Sequence, residues 1–345
     1  MRQAPAGAKT NRVETVGHET VPARDRLLGN LPGYAEFASA VPWLPGLRDV
    51  LPGGRALTER LLGLSKRRAL PKWRYDTFWR RAERTQFASR DEILAKAVAG
   101  ERVAAIFVDT FNGFFESENA HAAVRVLRAA GYALHLLEPP RGHYCCGRTF
   151  LAAGMVDKAK SRLQALLDAA APLARAGIPI VGLEPSCLLT LRDEALVMGF
   201  GQRAEEVARH ALLLEEFIAR EVAAGRFRLS LKALDTPVLV HGHCHQKAFG
   251  AIAPVLEVLM LIPGAKPELI ESSCCGMAGA FGYEADHDEI SMRMAEASLL
   301  PKVRGVPNAI VVADGTSCRH QIADGAGREA LHAARLLERM LTAAN

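Results

Sequence analysis

The sequence predicts an α/β fold of two lobes related by a pseudo-twofold, each a small parallel sheet with helical crossovers, preceded by a mostly helical N-terminal segment. Three observations carry this reading. From residue 101 onward, apolar runs of strand type alternate with stretches of helical periodicity. The same itinerary is travelled twice, and the composition changes character near residue 100. The expected divisions are 1–100 for the N-terminal segment, 101–230 for the first lobe and 231–345 for the second.

Residues 1–90 hold seventeen Lys/Arg against eight Asp/Glu, so about +9 sits there and about −4 in the remainder of a chain whose net charge is +5. All three tryptophans, Trp43, Trp73 and Trp79, lie in this part. Turn signals (LPGY, VPWLPGL, LPGG) separate short amphipathic runs such as RALTERLLGLSKRR, which read as small helices rather than a domain with its own core. Lys66, Arg67 and Arg68 are expected at a solvated helix end, and docking on an acidic partner or a membrane face is the competing reading. No nucleic-acid reading motif accompanies the charge, so no nucleic-acid partner is expected. The polar start MRQAPAGAKTNRVETVGHE carries no apolar stretch after its first charges, and no run of eighteen apolar residues occurs. The expectation is a non-secreted, cytoplasmic protein.

In the first lobe AAIFVDT reads as a strand, ENAHAAVRVLRAAG as a helix ending at Gly131, and YALHLL as a second strand that leads to Cys145 and Cys146. A long helix (MVDKAKSRLQALLDAAAPLARAG) and the strand IPIVGL follow, ending at EPSC with Cys187. In the second lobe PVLVHGHC is a strand reaching Cys244, AIAPVLEVLMLI a helix, and PELIESS leads to Cys274 and Cys275. HDEISMRMAEASLLPKVRG reads as one helix and NAIVVAD as a strand ending at GTSC with Cys318. Cys146 to Cys187 spans 41 positions and Cys275 to Cys318 spans 43. A period of about 130 residues is too long for a solenoid and indicates a duplicated α/β lobe.

Seven cysteines is an odd number in a long chain with no sign of export, which argues against a disulfide framework. They fall where strands end, on the carboxyl edge of a parallel sheet, where open α/β folds build their sites. Two adjacent cysteines followed by glycine turn the chain sharply and can offer two thiolates to one metal assembly. Four readings stand at this point: an iron-sulfur assembly, zinc, a vicinal disulfide or redox thiol pair, and buried thiols acting as small hydrophobes. The second lobe offers Cys244, Cys274, Cys275 and Cys318, with His241, His243 and His245 nearby. In an extended HGHCH the histidines fall on one side and Cys244 on the other, and His243 and His245 are candidate additional ligands. Asp109, Glu184 and Asp314 sit at strand ends, where carboxylates cap helices or turns.

DTFNGFFE, CCGRTFLAAGMVDKAK, VGLEPSC, HGHCHQKA, SSCCGMAGAFGYE and VADGTSCRHQI together resemble the cysteine-rich CCG-domain proteins. These include the B subunit of heterodisulfide reductase and the iron-sulfur subunits of glycolate oxidase and anaerobic glycerol-3-phosphate dehydrogenase. The resemblance covers residues 101–330 and is nearest to the C-terminal CCG region of FAD-linked oxidases of the D-lactate or 2-hydroxyacid type. It implies an iron-sulfur cluster, [4Fe-4S] by preference and zinc as the alternative, in an electron-transfer component rather than a complete enzyme. The partners it implies are an FAD-containing dehydrogenase subunit or domain, a ferredoxin-like iron-sulfur segment and a quinone-linked acceptor, with a peripheral location at the inner face of the membrane. The family repeat runs from a single cysteine to CCG and then to a CxxC pair. The second lobe keeps Cys244, Cys274, Cys275 and Cys318, with Gly315 at the first place of its CxxC, and is the preferred metal site. The first lobe keeps Cys145, Cys146 and Cys187, with Glu184 at that place and no cysteine in DTFNGFF. A modified cluster, a zinc ion or a metal-free remnant are its three readings.

No CxxCxxCxxxCP run, GxxxxGK[ST] loop or GxGxxG between strand and helix is present. Flavin chemistry is therefore expected from elsewhere. The contrasting function class is a zinc-binding or metal-free interaction module on the same scaffold.

Overall fold

The computed structural model describes residues 21–342; the polar start of the chain lies outside them. In the first lobe β1 (Val103–Phe107), β2 (Ala133–Leu136), β3 (Ile180–Gly182) and β4 (Ala211–Leu213) form a parallel sheet in the order β2-β1-β3-β4. The register pairs Val103 with Ala133, Ala105 with Ile180, and Ile180 with Ala211. In the second lobe β5 (Val238–Val240), β6 (Pro267–Leu269), β7 (Ile310–Val312) and β8 (Ala330–Leu331) repeat the pattern as β6-β5-β7-β8, again parallel throughout. The central strands β1, β3, β5 and β7 are covered on both faces and read as short apolar runs, whereas edge strand β2 alternates and edge strand β6 is largely exposed. The fourth strand of each lobe, two or three residues long, had no signal in the sequence.

The lobes are bound by exchanged helices. Leu214–Ala223, which follows β4, packs on Ala253–Leu259 of the second lobe, and Ala333–Met340, which follows β8, packs on Ser117–Ala129 of the first. One apolar core therefore runs through both lobes, joining Phe217 and Ile218 to Val255, Val258 and Leu259, and Leu336 and Leu337 to Ala123, Val124 and Leu127. Among the described residues no helix is long and apolar enough to cross a membrane.

Several sequence expectations change. The run RALTERLLGLSKRR is helical only over Gly54–Leu62 and stops at Gly63, whose φ is +63°. The basic triplet beyond it divides: Lys66 and Arg67 are exposed, whereas Arg68 is buried. Arg67 pairs with the carboxylate of Asp288 (2.6 and 2.9 Å), Ser65 hydrogen-bonds the same carboxylate, and buried Arg68 reaches Asp324 (3.2 Å) and Ser291 (3.1 Å). The segment is thus strapped to the second lobe by its own charge. It also meets the first lobe, where Ala35 and Trp73 pack with Phe114 and Phe115. The helix expected over HDEISMRMAEASLLPKVRG is two, Asp288–Glu296 and Leu299–Gly305, because Pro301 cannot donate and sits in a new first turn.

Phe217 is wholly buried in the shared core. Phe217→Ala is expected to cost about 3–5 kcal/mol. Urea unfolding followed by far-UV circular dichroism and tryptophan fluorescence should show it as one shifted transition. Two separated transitions would show that the lobes do not share a core.

Candidate metal centre

Both CCG turns have the same backbone mechanics. Gly147 and Gly276 take φ of +84° and +88°, and the amide of each donates to the first thiol of its pair, Gly147 to Cys145 and Gly276 to Cys274, at 3.3 Å in both. A Cβ on Gly147 would lie 2.8 Å from the carbonyl oxygen of Ala159, and one on Gly276 would overlap that of Ser291. The helices Val156–Arg175 and Asp288–Glu296 are therefore pressed against the glycine backbones, which answers why glycine follows each cysteine pair.

In the second lobe the carboxyl ends of β5, β6 and β7 bring the four cysteines together. Exposure falls stepwise from Cys244, which is exposed, through half-buried Cys274 to buried Cys275 and Cys318. The last two stand 3.5 Å apart, sulfur to sulfur. The strand does not continue through HGHCH as expected. It ends at Val240; His243 is the N-cap of the helix Cys244–Ala248, accepting from the His245 amide at 3.1 Å, while Gln246 closes a capping box on the His243 amide at 3.0 Å. The three histidines therefore do not share a side. His243 and His245 stack beside Cys244, with ring nitrogens 3.9 and 3.7 Å from its sulfur. His241 turns inward, with a ring nitrogen within 4.8 Å of the thiols of Cys275 and Cys318.

The tautomer of His241 follows from its neighbour. Ser272 donates to the Ile270 carbonyl (3.4 Å), so its oxygen accepts from Nδ1 of His241 (2.9 Å). Nε2 is left with its lone pair, buried and without a hydrogen-bond partner. Lys247 adds a positive charge: its ammonium donates to the carbonyls of Ser272 and Ser273 (2.7 Å to Ser273), directly before the cysteine pair. The thiols divide in pairs: hydrogen bonding to their neighbours and burial push Cys244 and Cys275 up. Hydrogen bonds from Cys244 and Cys275 hold Cys274 well below the usual thiol range, and the bond from Cys275 does the same for Cys318.

The first lobe brings Cys145, Cys146 and Cys187 together in a different environment. Asp109 caps the helix Thr110–Phe114 through the amides of Phe111 (2.8 Å) and Asn112 (3.1 Å). Thr110, next to this cap, takes the place that Cys244 has next to the cap His243. The hydrogen bond from Cys146 lowers Cys187, but burial, with Asp109 and Glu184 nearby, pushes its thiol up to about 12. Both oxygens of Glu184 are taken. One accepts from Ser186 (2.9 Å) and the other from the Thr316 amide (2.8 Å), at the start of the helix Thr316–Ala326 that carries Cys318. At the matching position Gly315 leaves room for the His243 ring, which a Cβ would overlap.

Sequence reasoning singled out His243 and His245 as additional donors, whereas His241 is the histidine that reaches the buried thiols. The alternation in HGHCH had marked all three, and only the helix cap separates them. Lys247 carried no signal, because its relation to residues 272–273 is made by the fold.

In each lobe a parallel sheet gathers thiols at its strand ends into a glycine-lined corner, a donor set able to hold a thiophilic metal. Residues 109–192 match the family model described as a cysteine-rich domain, CCG. The chain is similar to the C subunit of the anaerobic glycerol-3-phosphate dehydrogenase of Escherichia coli (strain K12), 28% identical over 83% of this chain and 68% of that protein. It is also similar to D-2-hydroxyglutarate dehydrogenases. That of Escherichia coli (strain K12) is 24% identical over 87% of this chain and 29% of its own length. That of Pseudomonas putida is 28% identical over 87% of this chain and 28% of its own length. The chain thus spans less than a third of those two dehydrogenases.

Gly250 has φ +67° with open space around it, so Gly250→Ala is expected to cost about 1 kcal/mol. Gly276→Ala adds a backbone collision to the same conformational penalty and is expected to cost more than about 3 kcal/mol. Equal shifts of the thermal midpoint in the two variants would refute the pressed-glycine account.

Proposed function

We propose that the chain is the iron-sulfur electron-transfer component of a flavin-dependent oxidoreductase. In this reading its second lobe holds a cluster, [4Fe-4S] by preference, on Cys244, Cys274, Cys275 and Cys318. The observation that carries the reading is the donor set itself: four converging thiols and a buried imidazole nitrogen whose lone pair has no partner in the protein. Thiolates in this number suit an iron-sulfur assembly. The dehydrogenase names of the similar proteins agree with it. The oxidised substrate is a small hydroxylated acid or polyol phosphate, handled by an FAD-containing subunit or domain, with a ferredoxin-like segment between flavin and this chain and a quinone as onward acceptor.

The cluster supplies one-electron exchange, and the chain's residues set the terms. Cys244 keeps one edge of the site at the surface, where a partner can come close. Buried Leu239 and Met277 exclude water from the inner side. The Lys247 ammonium and the Gly276 amide offset negative charge on sulfur, which favours the reduced state. In the first lobe, Cys145, Cys146 and Cys187 sit beside Asp109 and Glu184, whose charge opposes thiolate formation. That lobe serves as scaffold.

Iron, acid-labile sulfide and zinc are to be measured per chain after anaerobic purification, together with the visible spectrum before and after dithionite. About four irons with matching sulfide and a bleachable band are expected. Cys274→Ser and Cys275→Ser should each lose most of both, and Cys187→Ser should lose little. Stoichiometric zinc without sulfide, or equal losses in all three variants, would overturn the assignment.

Lys247→Met removes the nearest ammonium without removing a ligand. The midpoint potential of the reducible centre should move negative by about 60 mV, a tenfold change in a one-electron equilibrium. An unchanged potential would show that Lys247 only ties down the Ser272–Ser273 turn.

A further inference from the structure

We propose that Glu215, Asp314 and His332 form a second site, which holds one divalent cation between the two lobes and is separate from the cysteine centre. Glu215 lies in the first turn of the helix Leu214–Ala223 of the first lobe; Asp314 follows β7, and His332 is the N-cap of the helix Ala333–Met340, both in the second. All three are at most 2% exposed. Their ligand atoms lie within 4.8 Å of one another, with His332 Nδ1 3.6 Å from an Asp314 oxygen and 3.8 Å from a Glu215 oxygen. Ligand atoms so spaced can ring a single ion at about 2.0–2.5 Å from each.

The observation that points to an ion is the state of Glu215. Neither of its carboxylate oxygens has a hydrogen-bond partner, although the side chain is fully enclosed and directed at the other two residues. Charge does not balance around it. Arg319, which contacts the Asp314 backbone, is committed to Glu116 (2.9 and 2.5 Å) and to the carbonyls of Ala313 and Asp314 (2.8 and 2.7 Å). The Asp314 carboxylate accepts only from neutral donors, Gln246 (2.9 Å) and the Ala333 amide (3.0 Å). Two carboxylates therefore share a buried space with no cation of the protein assigned to them.

A proton is the other way to remove this charge, and burial, with Asp314 beside it, pushes the Glu215 carboxyl well up. Protonation would leave an O–H donor with no acceptor at hydrogen-bond distance, so it exchanges one unsatisfied group for another. A divalent ion satisfies both oxygens and both charges together. His332 suits the role: Nε2 donates to the Leu183 carbonyl of the first lobe (3.2 Å), which leaves Nδ1 as the nitrogen with a lone pair. Nδ1 accepts the Ala334 amide at 3.1 Å, a cap bond that the ion would replace. Two carboxylate oxygens and one imidazole select Mn²⁺, Fe²⁺, Zn²⁺ or Mg²⁺ rather than a thiophilic cluster. Since the ligands come from both lobes, the ion would clamp the seam between them.

The test uses the full chain from cells grown with added Mn²⁺, passed over a chelating resin and analysed for Mn, Fe, Zn, Mg, Ca and acid-labile sulfide. The wild type is expected to retain about one divalent ion per chain beyond the iron matched by sulfide, and Glu215→Gln roughly none, with the cysteine-centre metal unchanged in both. A wild type with no such ion overturns the proposal, whatever the variant does. So does a Glu215→Gln chain that keeps the ion, and so does an ion lost in Cys275→Ser instead, which would belong to the thiols. Should Glu215→Gln not accumulate as folded protein, His332→Gln provides the same comparison against the wild-type count.

Discussion

Two parallel sheets turn their carboxyl ends toward each other, and the polar groups that strand ends leave there must be satisfied across the seam. Glu184 of the first lobe caps the helix that carries Cys318 in the second. Glu116 of the first lobe holds Arg319 of the second, while His332 of the second donates to the Leu183 carbonyl of the first. Neither lobe closes its own hydrogen-bond inventory. Burial makes each of these links costly to break, since an abandoned partner cannot turn to water. The exchanged helices make the same point with apolar surface, and the duplicated lobes therefore behave as halves of one site-bearing body.

That mutual dependence lets the halves diverge in chemistry without diverging in fold. Each keeps a glycine turn that aims an amide at the first thiol, and each places a further cysteine at the start of the helix after its third strand. The difference lies in what surrounds the sulfur. Asp109 and Glu184 stand near Cys187, where they disfavour a thiolate; His241 stands near Cys318 and brings no opposing charge. A single exchange contributes to both environments. Glutamate at position 184 fills the seam from one side, and glycine at the matching position 315 opens the other to the His243 ring.

Much of this was legible in the chain. CCG occurs twice at matched places, and the strand-helix order around it pointed to the lobes, the parallel sheets and the gathering of the cysteines. What stayed hidden is non-local or too short to have a period. Ala211–Leu213 and Ala330–Leu331 hold too few residues to separate from the helices they adjoin. HGHCH alternates as a strand would, yet a side-chain cap at His243 ends the strand early, because the helix start gains two hydrogen bonds there. Arg67 and Arg68 read as solvated charge because their partners Asp288, Ser291 and Asp324 lie more than 200 positions away. Glu215 reads as an ordinary first-turn acid, which is favourable at a helix start. Only the enclosure supplied by the second lobe makes its lack of partners a cost.

The seam and the cysteine corner are connected. The His243 amide donates to Gln246, Gln246 donates to Asp314, and Asp314 faces His332 and Glu215. This line begins beside Cys244, at the exposed edge of the thiol corner, and ends at the wholly buried carboxylates between the lobes. His243, Gln246, Asp314 and His332 are fixed by hydrogen bonds, and these residues and Glu215 are buried, so charge at one end is screened by the protein interior and not by water. A negative charge gained at sulfur therefore opposes negative charge at Asp314 and Glu215. Under the proposed function, whatever neutralises those carboxylates would ease the arrival of an electron at the thiol corner, and the residues that bind the lobes together would be part of what sets its potential.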